Sequence, residues 1–294
     1  MFPQFLGIGA QKSATRWLWQ CLRSHPGLWF PERKEIHFFD RGVDPATLQI
    51  GVGGIVFDPN SPHLQRDLEL YADLFHPQKG QLAGEVTPAY AMLEVPVIKL
   101  IREIMPQGRF IYLLRNPIDR AWSQIRMDLD KRGQDVVSLP VSDFIAEFNK
   151  PAVQLRGDYL ACLDNWLSVF PAEQLFCGLY DDVVERPREL LADVFAFLGV
   201  RPALDWSKVP IGKVENKGVT FPLPYELYLH LRDTYADDII KLNQRFNGRL
   251  ETWVESLSNI QKVSKPAHAY HQTGKKATFP QRLSRTLRSS LFKR

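Results

Sequence analysis

The sequence predicts an α/β protein of three layers, with a central parallel sheet flanked by helices. Three observations carry that expectation. Strand-like segments alternate with segments of helical period from residue 5 to about residue 200. The clearest strand, residues 109–114, is continuously apolar after its first residue, as strands buried on both faces are. A short N-terminal strand runs through a glycine-bearing loop directly into a helix.

Taken in order, residues 5–8 read as a buried strand ending in Gly9, and a helix begins at about Thr15. Trp17, Leu18, Cys21 and Leu22 keep its helical spacing, and His25-Pro26-Gly27 breaks it near Ser24. Residues 41–66, rich in Gly, Pro and Asp, read as a long surface excursion without assigned structure. A second strand is expected at 81–86, followed by a helix over 96–104. The third strand, 109–114, should be central and ends in the turn Arg115-Asn116-Pro117. A helix follows over 118–131, and another over 157–170 with Tyr159, Leu160, Leu163, Trp166, Leu167 and Phe170 in a 3.6-residue period. Residues 174–180 make a fourth strand. Pro187 opens a helix with a stripe of Leu190, Leu191, Val194, Phe195 and Leu198, and Gly199 closes it. Beyond a Pro-rich stretch (200–224), a helix over 225–246 finishes the domain, and no internal repeat is visible.

Apolar residues make up 45% and charged residues 24% of 294, which excludes a disordered, collagenous or coiled-coil chain. Apolar runs such as residues 110–114 fall far short of the ~20 residues of a membrane span, and the N-terminus does not read as a secretion signal. Three cysteines without CxxC spacing (Cys21, Cys162, Cys177) fit a reducing, cytoplasmic compartment with free, mostly buried thiols. Residues 262–294 hold nine Lys or Arg and no acid, so of the net +4 the other 261 residues carry −5. The expected organisation is therefore one domain over 1–261 and a basic tail over 262–294. A tail of this kind argues against nucleic acid as the partner, because cations are not spread over a folded face.

Residues 7–15, Gly-Ile-Gly-Ala-Gln-Lys-Ser-Ala-Thr, lie between a strand and a helix, where backbone N–H groups and the helix N-terminus attract anionic oxygens. Lys12 adds a charge and Ser13 a hydroxyl. The three-layer fold is thus P-loop-like, but Gln11 stands where a nucleotide triphosphatase loop has its second glycine. The third strand is followed by Arg115 rather than by an acid that could hold Mg²⁺. Arg115 and Ser123, at the start of the next helix, make a second cationic element. Two anion sites at two strand ends imply a ligand with two separate anionic groups. Taken alone, Lys12 could equally be a solvated lysine in an ordinary turn.

At these residues the sequence resembles the sulfotransferases that use 3′-phosphoadenosine-5′-phosphosulfate (PAPS). Residues 12–18, Lys-Ser-Ala-Thr-Arg-Trp-Leu, resemble their 5′-phosphosulfate loop, and residues 114–123, Leu-Arg-Asn-Pro-Ile-Asp-Arg-Ala-Trp-Ser, their 3′-phosphate motif. Residues 34–40, Lys-Glu-Ile-His-Phe-Phe-Asp, are similar to a segment of the carbohydrate branch, the heparan sulfate sulfotransferases and their bacterial relatives. Residues 84–90, Gly-Glu-Val-Thr-Pro-Ala-Tyr, and Gly157-Asp158-Tyr159 with Trp166 resemble that branch too. The likeness spans roughly residues 5–250. It implies PAPS as donor, adenosine 3′,5′-bisphosphate (PAP) as product, no metal, and a carbohydrate or small-molecule acceptor. The loop usually has glycine where Ala14 stands and a hydroxyl residue where Arg16 stands, and alanine is at ease in that place only if φ is negative.

The resemblance also implies roles. Lys12 would neutralise charge on the departing bridging oxygen. Gln11, Ser13, Ala14, Thr15, Arg16 and Trp17 would line the donor's phosphosulfate end, Arg115 and Ser123 would hold its 3′-phosphate, and Lys217-Gly218 would fold over it. Glu35 would be the general base, and His37, on the same side if the segment is extended, would hydrogen-bond acceptor or sulfate. The plainer readings stand beside these: Glu35 as half of a surface ion pair with Arg33 or Lys34, Lys217 as a solvated lysine, Phe38, Phe39, Tyr159 and Trp166 as core. A P-loop kinase using ATP and Mg²⁺ and a non-catalytic nucleotide-binding protein are the alternative functions. No HExxH or Cys/His cluster suggests a metal. In the tail, Phe279, Leu283, Leu287 and Leu291 alternate with Arg282, Arg285 and Arg288, a pattern open to a short amphipathic helix at a membrane or partner protein and to a solvated tail.

Overall fold

The computed structural model describes residues 1–52, 54–200, 205–212 and 221–258. Five strands form one sheet: β1 (Phe5–Gly9), β2 (Leu28–Trp29), β3 (Leu82–Val86), β4 (Arg109–Leu114) and β5 (Leu175–Leu179). Their order is β2-β3-β1-β4-β5 and every pairing is parallel. The expected fold class holds. β1 takes the middle place, and β4, expected to be central, pairs on both edges with β1 and β5. The fifth strand was not expected, since two residues of β2 give no readable period.

Strand alternation divides the interior in two. Leu6, Ile8, Phe110, Tyr112 and Leu114 face one core, while Phe5, Ile111 and Leu113 face the other. On the first face lie α4 (Val95–Ile104), α5 (Pro117–Lys131), α8 (Tyr159–Leu167) and α11 (Tyr225–Arg245), whose apolar stripes join that core. On the second lie α1 (Thr15–Arg23) and α10 (Pro187–Leu198), and Gly199 closes α10 at φ 71, where a glycine is at ease. The helix after β1 thus crosses one face and the helix after the adjacent β4 crosses the other. Their loops diverge at the carboxyl ends of the two strands, leaving the crevice in which parallel sheets bind ligands.

Several stretches carry more structure than the sequence suggested. Within and beside the excursion, Phe38–Arg41 and Leu64–Ala72 are helical (α2, α3), and Val43 bridges Ile50. Val141–Phe148 (α6), Pro151–Gln154 (α7), Tyr180–Glu185 (α9) and Glu251–Ser258 (α12) were unforeseen helices. Tyr159, Trp166, Phe38 and Phe39 are core residues, each at most 1% exposed. The three cysteines are free; burial pushes the thiols of Cys21 and Cys177 up to about 12 and that of Cys162 to about 11. Among the described residues, no helix is long and apolar enough to cross a membrane. The basic tail and Lys217-Gly218 lie outside the described residues.

Candidate active site

The turn from β1 into α1 is built by two left-handed residues, Lys12 (φ 73) and Ala14 (φ 61). The condition under which alanine would be at ease at position 14, a negative φ, is therefore not met. Left-handed residues fold such a turn back on itself so that successive N–H groups can converge on one concavity. No side chain caps the first turn of α1, which leaves its N–H groups for an incoming anion. Ser13 is fully buried beside Tyr159, Thr15 is 7% exposed, and Arg16 is exposed at the rim. Trp17 departs from the expected role. Its side chain is packed in the α1–α10 core with the indole N–H donating to the Ile211 carbonyl at 3.0 Å, so only its backbone is left to serve the loop.

Arg115 follows β4 directly, and its Nη1 donates to the carbonyl of Lys12 at 3.1 Å. The two cationic elements found in sequence are therefore side by side. The guanidinium lies over the Tyr180 ring at 4.4 Å, and the Tyr159 hydroxyl donates to the Arg115 carbonyl at 2.9 Å. Arg115 Nε is buried with no hydrogen-bond partner among the described residues, as is the side-chain oxygen of Gln11. Asn116 caps α5 by accepting from the Ile118 N–H at 3.0 Å. Ser123 lies nearly two turns along that helix, followed by Arg126 and Met127 on the same side. Lys12 Nζ rests against Met127 Sδ at 3.4 Å, a weak acceptor for an ammonium. Burial, then Arg115, Arg126 and Lys131 in turn, lower the pKa of Lys12, and Asp128 opposes them. Arg120 plays a different part: fully buried, it donates to Gln124 Oε1 at 2.7 Å and to the Val153 carbonyl at 2.8 Å, joining α5 to α7.

A second cluster borders the first. Glu35 (φ 62) and His37 (φ 60) are both left-handed, so the segment is not extended, yet the turn brings the two side chains together. His37 Nε2 is 3.7 Å from Glu35 Oε2, and its Nδ1 is 2.8 Å from Asp40 Oδ2. Lys34 Nζ contacts Glu35 Oε1. The bond from His37, opposed by burial and supported by Lys34, holds the Glu35 carboxyl down at about 2. Burial pushes His37 down, but hydrogen bonds to Asp40 and Glu35 outweigh it and raise the imidazole's pKa. His37 thus has Nδ1 bonded to Asp40 and Nε2 turned toward Glu35, 3.7 Å away. The bland ion pair Lys34–Glu35 is present as well, within this network.

Beneath the segment lies Glu85 at 1% exposure. It accepts from the Tyr71 and Tyr90 hydroxyls at 2.8 Å each, from Thr87 at 2.6 Å and from the Ile36 N–H. The Tyr90 hydroxyl in turn accepts from the Phe38 N–H at 3.0 Å. Sequence reasoning assigned no role to Asp40, Arg126 or Glu85. Spacing carries the first two, Asp40 three residues after His37 and Arg126 three after Ser123; nothing in the sequence marks Glu85 as a hub. A cavity of about 770 Å³ lies at the opposite end of the sheet, lined among others by Phe5, His25, Leu82, Arg109 and Leu198, and contains none of the predicted site residues.

Comparison with known proteins adds to this geometry. A model described as the sulfotransferase family matches residues 3–203. Heparan sulfate glucosamine 3-O-sulfotransferase 3B1 of Homo sapiens is 28% identical over 207 residues, 68% of this chain and 46% of its own length. Heparan sulfate glucosamine 3-O-sulfotransferase 6 of Mus musculus is 30% identical over 210 residues, 68% and 53% respectively. The chain thus matches about half the length of these curated relatives. A crystal structure of a sulfotransferase from Alicyclobacillus acidocaldarius superposes with a TM-score of 0.64 at 25% identity, covering 86% of this chain and 99% of that one.

Proposed function

The chain belongs to the sulfotransferase family, and from that premise we propose that it moves a sulfuryl group from PAPS to a hydroxyl, in preference to an amine, of a carbohydrate or carbohydrate-like acceptor. The observation that carries the donor assignment is the contact of Arg115 with the Lys12 carbonyl at the uncapped start of α1. Two cations and a set of N–H groups meet there at the divergence of two adjacent strand loops, and the buried Arg115 Nε–H has no partner among the described residues. That arrangement suits a nucleotide with two separated anionic groups.

Sulfuryl transfer resembles phosphoryl transfer in that positioning and charge stabilisation do most of the work. Lys12 neutralises charge on the oxygen that bridges sulfur and the 5′-phosphate. Ser13, Thr15 and the loop N–H groups hold that phosphate; Arg115 and Ser123 hold the 3′-phosphate. Glu35 takes the proton of the acceptor hydroxyl, with His37 and Asp40 fixing its orientation. The carbohydrate acceptor rests on the names of the relatives, which act on heparan sulfate glucosamine.

A kinase would need a Mg²⁺ ligand where Arg115 leans on the loop, so the geometry favours the sulfuryl donor. Calorimetry separates the two. Tight binding of PAP without Mg²⁺, together with transfer of label from PAPS to a glycan mixture, is the expected result; Mg²⁺-dependent ATP binding in its place overturns the proposal, and PAP binding without single-turnover transfer makes the chain a non-catalytic binder.

A further inference from the structure

A carboxylate gripped by two cations is a weak base, because the cations favour its charged form, and a general base works best when its pKa lies near the operating pH. Glu35 is in that position. On one oxygen it meets Lys34 Nζ; on the other it faces His37 Nε2, which Asp40 holds from behind. His37 is tethered to Asp40 through Nδ1 and has Arg41 as a charged neighbour. Lys34 is not tethered in that way. Its side chain is 10% exposed, Glu35 is its hydrogen-bond partner, Glu85 attracts it from below, and Arg16 on the first turn of α1 repels it. The ammonium therefore lies within electrostatic reach of the turn that opens α1, on a flexible four-carbon stem.

We propose that Lys34 is a positioning residue that grips Glu35 while the donor site is open and passes to the sulfuryl oxygens of the donor once it binds, freeing the carboxylate for the acceptor. The inference rests on the PAPS reading. In the step it prepares, the acceptor O–H bond breaks and its proton goes to a Glu35 oxygen. The acceptor oxygen forms the new bond to sulfur, and the bond from sulfur to the 5′-phosphate oxygen breaks, its electron pair leaving with PAP. Coupling the grip to donor binding keeps Glu35 unreactive until there is something to transfer.

The test compares two nucleotides that differ only in the sulfuryl group. In calorimetry, Lys34→Met is expected to weaken PAPS about tenfold, the order of one charge-assisted hydrogen bond, and to leave PAP unchanged. In pH profiles of kcat/KM for PAPS, which report the free enzyme, its acid limb should rise by about one unit relative to wild type. Equal losses for both nucleotides, or no loss together with an unmoved acid limb, overturn the proposal. Should Lys34→Met fail to fold, Lys34→Gln, which keeps a hydrogen bond to Glu35 without the charge, gives the same comparison. If the wild-type chain binds neither nucleotide, the donor assignment itself has failed, an outcome distinct from a Lys34 that treats PAPS and PAP alike.

Discussion

Two glutamates, Glu35 and Glu85, sit one above the other at the same sheet end and are satisfied in opposite ways. Glu85 is buried on β3 and its partners are hydroxyls and one N–H, all neutral. Glu35 has a side chain 42% exposed and its partners are Lys34 and His37, both able to carry charge. Burial, against the bonds from Thr87, Tyr71 and Tyr90, raises the Glu85 carboxyl, whereas the bond from His37 leads those that hold Glu35 low. Neutral donors fill lone pairs and fix geometry; cationic donors also set the charge, and can let go. Glu85 thus makes the floor from which Ile36 and Phe38 hang, and Glu35 is the group that floor presents.

The largest effect expected of this division is chemical. Glu35→Gln should lower kcat by about 10²- to 10⁴-fold at saturating donor and acceptor, the range of a lost general base, while the protein stays folded. Lys12→Ala should also reduce transfer strongly in a folded protein. A wild-type rate from Glu35→Gln would remove that carboxylate from the mechanism. Next in size, Glu85→Gln turns one acceptor into a donor among donors and should cost about 1–3 kcal/mol in urea unfolding. Should it leave stability intact and abolish transfer, the assigned roles of the two glutamates would be the wrong way round.

A smaller effect lies in the slopes with pH. Glu35 is depressed, so its stabilising contribution is present above its ordinary value near 4.5 and is lost as pH falls toward about 2. His37 is raised, so its share is complete below 6.5 and is lost as pH rises through its elevated value. Glu85 is raised with the opposite consequence, its contribution declining as pH rises above 4.5. The difference in melting temperature between wild type and Glu85→Gln should therefore shrink from pH 4.5 upward, and that between wild type and Glu35→Gln should shrink from pH 4.5 downward. Two differences tilting the same way would contradict the contrast.

Local signals made most of the frame legible in the sequence. Pro187 and Gly199 bracketed α10, the apolar run of β4 named a buried strand, and the stripe of α8 placed Tyr159 and Trp166 in the core. Contact between distant elements was not legible. β2 exists because Leu28 and Trp29 pair with Leu82 and Ala83, and α12 because Trp253 is buried and donates its indole N–H to Asp181. At the site, residue types marked Lys12, Arg115, Glu35 and His37, but not that Arg115 would touch the Lys12 carbonyl or that a turn rather than a strand would pair Glu35 with His37. Those facts depend on left-handed backbone at non-glycine residues, which no residue type announces.

Backbone strain extends the contrast between rim and floor. Lys12, Ala14, Glu35 and His37 all have positive φ, whereas Glu85 lies in a regular strand and Thr87 at φ −125. Ala14 is the one of the four whose side chain carries no proposed chemistry, so it measures the strain alone. A left-handed L-residue costs about 1–2 kcal/mol, and glycine removes that cost. Glycine also gives the unfolded chain more freedom, which takes back about 0.4–1 kcal/mol, and the half-buried methyl is lost from its place against the α1–α10 core. Ala14→Gly should therefore stabilise by only about 0.5 kcal/mol in urea unfolding, with PAP affinity unchanged. A destabilised variant would mean that the methyl's packing outweighs the strain, and that the rim, at this residue, is held as tightly as the floor.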